Sequence, residues 1–434
     1  MGAGRAADDG RARLPESGLM TTQPTQHDQR ISAGTRRRRR TAAAGACAIA
    51  AAALFATSAS AADAPMHGHA SPVAARAASR PLGPRLQAVM DRAVRAPRSG
   101  FPGVALYVRR DGSRAWSGAA GRADVATGRL MRPTDRVRAG SIMKPFIAVA
   151  ILQLVEEGRL ALDDPLPAVL PPGVIARFPE AAQITVRMLL NHTSGIGNYT
   201  DEHFDREVAA DQHRRWTVGE LLDRAAALPR IAPPGERFSY SNANYNLLGQ
   251  VLEQATGRPW RAVVRERVIA RLNLTHTSLP RPGLVPRDRG IAHGYQEVQG
   301  KVQDFTDVDS SMAGAAGGHA MLTTAGDLSR FLHAVLAGRV FRHGQTAKEM
   351  QTFVAAQSPD GLTGYGLGLE RYLLPGGVEI VGHVGSSAGY RTFMFRLPAQ
   401  RIDLTISTNG LGDPSAVLFP ALKLVLAAGS PGRD

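Results

Sequence analysis

One cysteine, Cys47, and four lysines, Lys144, Lys301, Lys348 and Lys423, are all that 434 residues contain of either type. The cysteine lies inside an N-terminal apolar run, so no internal disulfide can form and stability must come from core packing. Lysine is so rare that its presence inside any motif is informative. Acidic residues are also short, 37 against 52 basic ones, which gives a formal net charge of +15. Five of those charges fall before Ala62, where nine arginines face four carboxylates. The remaining +10 is dispersed, with no basic stripe and no nucleic-acid module. That leaves attraction to anionic surfaces such as a cell wall and argues against nucleic acid as a partner. No internal repeat is visible. With 44% hydrophobic and 21% charged residues, the composition is that of a globular chain, long enough for a large core or two packed domains.

The N-terminus reads as an export signal. Arg36 to Arg40 form a cationic cluster, Thr41 to Ala61 is a run of small and apolar residues, and Ala59-Ser60-Ala61 resembles a cleavage site. Residues 1–61 are therefore expected to be a signal peptide of the Sec or Tat type, with initiation at Met20 as an alternative start, and the protein to be secreted (extracellular or periplasmic). A basic tail and an uncleaved anchor are the rivals; the run is long enough to span a bilayer, but alanine is weakly lipophilic. Residues 62–81, rich in Ala, Pro and His, read as a linker.

From Leu82 to Val94 the apolar spacing predicts a helix, and Val104–Val108, Asp111-Gly112 and Ala115–Ala120 predict a β-hairpin. Ser141 to Glu157 reads as a largely buried helix. Further helices are expected at Thr185–Asn191, Val218–Leu228, Tyr245–Thr256, Trp260–Val268 and Ala325–Ala337. Val378–Val381, Tyr390–Leu397 and Ile402–Thr408 read as strands, followed by a last helix over Pro414–Ala427. Strands at both ends with helices between them imply an α/β fold of the α+β type. An antiparallel sheet domain (82–140 and 338–430), flanked by N- and C-terminal helices, carries an inserted, mostly helical domain (141–337).

The chemistry is concentrated in three short segments. Ser141 and Lys144 are three residues apart, on one face of a helix near its start, which Pro145 fixes. A serine hydroxyl needs a base, and burial can lower a lysine pKa enough to supply one. Tyr240-Ser241-Asn242 follows 99 residues later, in a loop just before a predicted helix. It offers a phenol as a second proton shuttle and an amide for a substrate peptide group. His383-Val384-Gly385 lies another 143 residues on, in the β-rich segment, with a small residue where a strand edge can meet a substrate backbone.

These three segments, in this order, resemble the motifs of the serine β-lactamase and D-alanyl-D-alanine peptidase superfamily. The branch that looks most similar contains secreted actinobacterial DD-carboxypeptidases and β-lactamase-like esterases. The segments Leu189–Gly195, Ala316–Thr324, Tyr365–Leu369 and Gly382–Gly385 are similar too, so the resemblance covers about Leu82 to Ala427. It implies an acyl-enzyme on Ser141, general acid–base work shared by Lys144 and Tyr240, and a proton network organised by Asn242 and His383. It places substrate binding at Asn242, Gly385 and Ser386, with the backbone N–H groups of Ser141 and Ser386 as oxyanion hole. It implies no cofactor and no metal, a monomer, and a small peptide or ester substrate, such as a peptidoglycan stem peptide. Membrane contact would come only through an uncleaved signal. His192 falls in a turn that the resemblance marks as structural, and is left outside the site.

Two departures bear on substrate. His383 stands where similar β-lactamases carry lysine, so poor β-lactam turnover is expected. Where the carboxypeptidase branch carries an arginine for the substrate carboxylate, this sequence has Glu370, with Arg371 next; adjacent strand residues face opposite sides. A glutamate facing the site would repel a terminal carboxylate and favour esters, amides or neutral-ended peptides. The expected activity is thus a carboxypeptidase-like one on cell-wall peptides, with an esterase or D-amino-acid amidase as the alternative and a non-catalytic penicillin-binding receptor as a further rival. A decoy, Gly385-Ser-Ser387-Ala-Gly389, fits the G-x-S-x-G elbow, which requires a helix after the serine; Tyr390–Leu397 alternates like a strand instead.

Overall fold

The computed structural model describes residues 81–428, apart from 98, 285–289, 359–360 and 375. The expected signal and most of the expected linker lie outside the described residues. Those residues belong to one compact unit, and among them no helix is long and apolar enough to cross a membrane.

An eight-stranded antiparallel sheet is assembled from both ends of the sequence. Its strands are β1 (Gly103–Arg110), β2 (Trp116–Gly121), β3 (Val354–Ala355), β4 (Leu362–Tyr365), β5 (Glu370–Leu374), β6 (Val378–Ser387), β7 (Tyr390–Leu397) and β8 (Ile402–Thr408). Their order is β2-β1-β8-β7-β6-β5-β4-β3. The N-terminal hairpin docks on the C-terminal meander with Val104 opposite Thr408 and Leu106 opposite Ile406. Helix α1 (Leu82–Arg95) buries Leu86, Val89, Met90 and Ala93 against one face, as its 3.6-residue spacing predicts. A C-terminal helix, Ser415–Ala427, covers the same face through Val417, Leu418, Ala421 and Leu422.

The other face carries the helical layer. Its centre is α2 (Met143–Glu156), in which every residue from Met143 to Leu154 is buried. Such all-round apolarity marks a helix enclosed by others rather than lying on a surface. Beside it run α3 (Asn242–Thr256) and α4 (Ala325–Leu336), with Phe146 of α2 stacked on Phe331 of α4. The fold is the β-lactamase/transpeptidase-like one.

Three local expectations shift. Ser141 sits in a 3-10 turn, Gly140–Ile142, and the α-helix begins only at Met143, because Gly140 enters with φ +57. Helix α3 starts a turn before the apolar spacing does. Asn242 is its first residue and Ser241 its cap, held by the Asn242 N–H donating to Asn198 Oδ1. Strand β6 runs on to Ser387, so His383, Val384 and Gly385 lie within it. A helix at Glu202–Ala210, capped by Asp201, and a hairpin at Tyr295–Val298 and Lys301–Asp304 add to the expected elements.

Candidate active site

The turn at Ser141 is wedged between sheet and helices where neither neighbour tolerates a side chain. A β-carbon on Gly140 would lie 2.6 Å from Ser386 O and 2.8 Å from Ser386 N, and one on Gly385 would lie 2.0 Å from Ala139 O. Glycine at both positions lets the end of β6 close directly onto the turn. Ser386, on that edge, is exposed. The backbone N–H groups of Ser141 and Ser386 are thereby brought into one neighbourhood, as an oxyanion hole requires.

Lys144 is fully buried, with its Nζ 3.0 Å from Ser141 Oγ, 2.7 Å from Asn242 Oδ1 and 2.7 Å from Ala316 O. Burial pushes its pKa well below the usual lysine range, with the charge of Glu370 acting the other way. Neutral, the amine has two hydrogens, and Asn242 Oδ1 and Ala316 O can only accept. The nitrogen lone pair is then left for the Ser141 hydroxyl.

Tyr240 O–H donates to the same Oγ at 2.9 Å. Burial holds the phenol well above its ordinary pKa, partly offset by the bond to Ser141, so it stays protonated. One serine oxygen therefore sits between an amine stripped of its charge and a phenol that keeps its proton. Asn242, besides holding Lys144, donates from Nδ2 to Thr200 Oγ1 at 2.9 Å.

The structure brings Ser141, Lys144, Tyr240 and Asn242 into direct contact and sets His383 one layer behind them. His383 Nδ1 lies 2.5 Å from Val384 O and 3.5 Å from Glu370 Oε1. Both are acceptors, so Nδ1 carries the proton and Nε2 accepts from Tyr365 O–H at 3.0 Å. Burial, with Lys144 nearby, pushes the imidazole down to about 3. Glu370 is buried under β6, accepting from Val384 N–H at 2.8 Å and Tyr372 O–H at 3.0 Å. Arg371 points to the opposite face, its guanidinium 4.9 Å from the Phe353 ring centre. Motif spacing revealed the side chains of the contact cluster. It missed Ala316 O, a backbone partner with no residue-type signal, and Thr200, which is common in any loop.

Ser387 of the decoy elbow ends β6, and β7 begins at Tyr390, so strand, turn and strand replace the strand, turn and helix that an elbow needs. Among the described residues, the His and carboxylate atoms closest to a metal-ligand grouping are those of Asp111, His333 and Asp403, within 4.8 Å of one another. Their carboxylates already accept from Arg109, Arg396 and Arg401, which is an ion-pair cluster's arrangement and fits a metal poorly.

This fold, with a serine between a buried lysine and a tyrosine, defines a serine hydrolase of the β-lactamase/transpeptidase superfamily. The family model described as Beta-lactamase matches residues 86–427, and the chain belongs to that family. Esterase EstB of Burkholderia gladioli is 33% identical over 286 residues, covering 60% of this chain and 71% of that protein. Penicillin-binding protein 4 of Amycolatopsis lactamdurans is 29% identical over 320 residues, 71% of this chain and 81% of its own length. Among solved structures, a D-stereospecific amidohydrolase from Streptomyces sp. is 34% identical with a TM-score of 0.69, covering 78% of this chain and 98% of that one.

Proposed function

We propose that the protein cleaves small, neutral-ended amides and esters of D-amino-acid type through an acyl-enzyme on Ser141. The observation that carries this is the triangle in which Ser141 Oγ lies 3.0 Å from Lys144 Nζ and 2.9 Å from Tyr240 Oη. Neutral Lys144 takes the serine proton as Oγ attacks the carbonyl. The oxyanion is met by the Ser141 and Ser386 N–H groups, each such donor contributing about 3–4 kcal/mol in acyl transfer. Tyr240 gives its proton to a leaving amine or alkoxide, which cannot depart as an anion, and is reprotonated from Lys144. Water then attacks the acyl-enzyme by the reverse relay. Asn242 holds the lysine, and His383 braces the strand edge beside the substrate.

The neutral-ended substrate is supported by charge. Glu370 is tied beneath β6, beside His383, and Arg371, the nearest sequence candidate for a carboxylate clamp, faces Phe353, so neither offers a counter-charge to a substrate carboxylate. The amidohydrolase and esterase relatives favour the same class. A second reading, release of D-alanine from cell-wall stem peptides, is favoured by the penicillin-binding relative. The Arg36–Arg40 cluster and its apolar run support action outside the cytoplasm for either.

A hydrolysis panel separates them. D-aminoacyl amides and p-nitrophenyl esters should turn over faster than a D-Ala-D-Ala peptide, and a fluorophosphonate should add one mass at Ser141 that Ser141→Ala lacks. Efficient D-alanine release with slow ester cleavage would replace the first reading by the second. No adduct on the wild-type protein would remove both.

A further inference from the structure

His192 has no place in the reaction just described, yet it binds the chain on both sides of Tyr240. Its φ is +58°, in the left-handed region that residues with side chains seldom enter, His being among those that do. From that backbone its carbonyl and its ring engage the same segment. His192 O accepts Ser239 N–H at 2.8 Å, and Nδ1 lies 3.2 Å from Ser241 N and 3.0 Å from Asn244 Nδ2. A backbone N–H can only donate, so Nδ1 is the acceptor and Nε2 carries the proton. The ring is neutral, its pKa held well below the ordinary value by burial and by Lys144 and His383. Its Nε2–H has no polar partner among the described residues and lies among rings, with Tyr240 at 4.4 Å and Tyr365 at 4.8 Å between centres. A buried donor left unsatisfied is unfavourable, so packing alone gives no reason for histidine here; the acceptor on the other side of the ring does. The same turn fixes Asn244 from its far end, Ser194 Oγ donating to Asn244 Oδ1 at 2.7 Å.

We propose that His192 is the positioning residue of Tyr240. By fixing Ser239, Ser241 and Asn244 from one turn and packing against the Tyr240 ring, it sets the reach of the phenol to Ser141 Oγ and hence the protonation of the leaving group. The inference rests on the reading of Tyr240 as general acid given above.

His192→Phe keeps the ring and removes the acceptor. His192→Asn restores an acceptor near the Nδ1 position on a residue that tolerates positive φ. Each is assayed on an amide and on a p-nitrophenyl ester of one acyl group, in the wild-type and Tyr240→Phe backgrounds. His192→Phe should lose about 10–100-fold in kcat/KM on the amide. On the ester, whose leaving group departs unprotonated, the loss should be under about threefold. In the Tyr240→Phe background it should add less than about twofold, and His192→Asn should recover most of the amide activity. Equal losses on both substrates, or the same factor in both backgrounds, would overturn the proposal. If His192→Phe does not fold, His192→Asn is compared with His192→Gln, whose amide reaches the Nε2 position instead. An amide-selective loss in the glutamine variant alone supports the proposal, and identical behaviour of the two rejects it. Failure of the underlying reading is a separate observation, an unmutated protein that hydrolyses neither substrate or takes no label at Ser141.

Discussion

Two clusters of ionisable residues, one fastening β1, β7, β8 and α4 and the other gathered around Ser141 and β6, are governed by opposite physics. In the first, Asp111, Asp403, Arg109, Arg396, Arg401 and His333 tie β1, β7, β8 and α4 together. Arg396 reaches Asp111 at 2.7 Å and Asp403 at 2.6 Å, and Arg109 reaches Asp403 at 2.7 Å. There the carboxylate and guanidinium charges are retained and paired, the Arg396 hydrogen bonds holding the Asp111 carboxyl down to about 2, and only His333 is shifted toward its neutral form by burial. Around Ser141, charge is suppressed. Lys144, His192 and His383 are driven neutral by burial and the phenol of Tyr240 is kept protonated. Pairing makes groups inert and useful as fasteners. Suppression leaves a lone pair and a proton on either side of one oxygen, which is what acyl transfer needs.

The contrast can be broken most forcefully at the suppressed end. Lys144→Met should cut kcat/KM by about 10⁴-fold or more while the protein still folds, as circular dichroism and turnover together would reveal. A variant retaining a tenth of the activity would mean that Lys144 is not the base. At the paired end the effects invert. Asp403→Ala leaves Arg396 and Arg109 short of a buried partner and should cost about 3–5 kcal/mol in chemical denaturation, with kcat/KM of the folded fraction within about twofold. A large activity loss there would join the two clusters into one functional unit.

Titration sharpens the same division. Unfolded, His192, His319 and His383 would each take up a proton near pH 6.5; folded, all three are held neutral, His383 down to about 3. The unfolded state binds more protons in that window, so stability should fall as pH drops from 6.5 toward 3, a trend measurable by urea midpoints. Activity should rise with pH through the lowered Lys144 value and then stay level, and Glu370→Gln, by removing the charge that raises that value, should move the rise to lower pH. An unmoved profile would show that the Glu370 charge does not reach the lysine. The smallest expected effect is Ser387→Ala. Its Oγ is buried without a partner among the described residues, so stability should change by less than about 0.5 kcal/mol and activity not at all.

Much of this was legible in sequence because strands and helices advertise themselves by period. The alternation in Tyr390–Leu397 and Ile402–Thr408 and the 3.6 spacing in Leu82–Arg95 returned elements nearly to the residue. The start of α3 was missed because Asn242 and Asn244 interrupt the apolar pattern that carries the signal. Of the side chains, Ser141, Lys144, Tyr240 and Asn242 were found through order and spacing, and the structure puts them in contact. His383 shares the motif but not the contact, since spacing cannot tell which way a ring nitrogen turns. Sequence shows that Glu370 would repel a carboxylate if it faced the site, but not where it faces; its carboxylate is tied under β6 to Val384 N–H. His192 stays outside the site in sequence because the resemblance marks its turn as structural, and its bonds to the backbone of Ser239 and Ser241 and to Asn244 are not encoded by residue identity.

Because β1 lies against β8, with Val104 opposite Thr408, the sheet is completed late in synthesis. The Ser141 turn leaves the ribosome first and waits for Ser386 to supply the other half of its oxyanion hole. At roughly 5–20 residues per second that wait is on the order of tens of seconds. Throughout it the nascent chain carries a serine and a lysine with no field to activate them. A hydrolase assembled in this order stays silent until its last strands arrive, so the timing of its activity is written into the topology of its sheet.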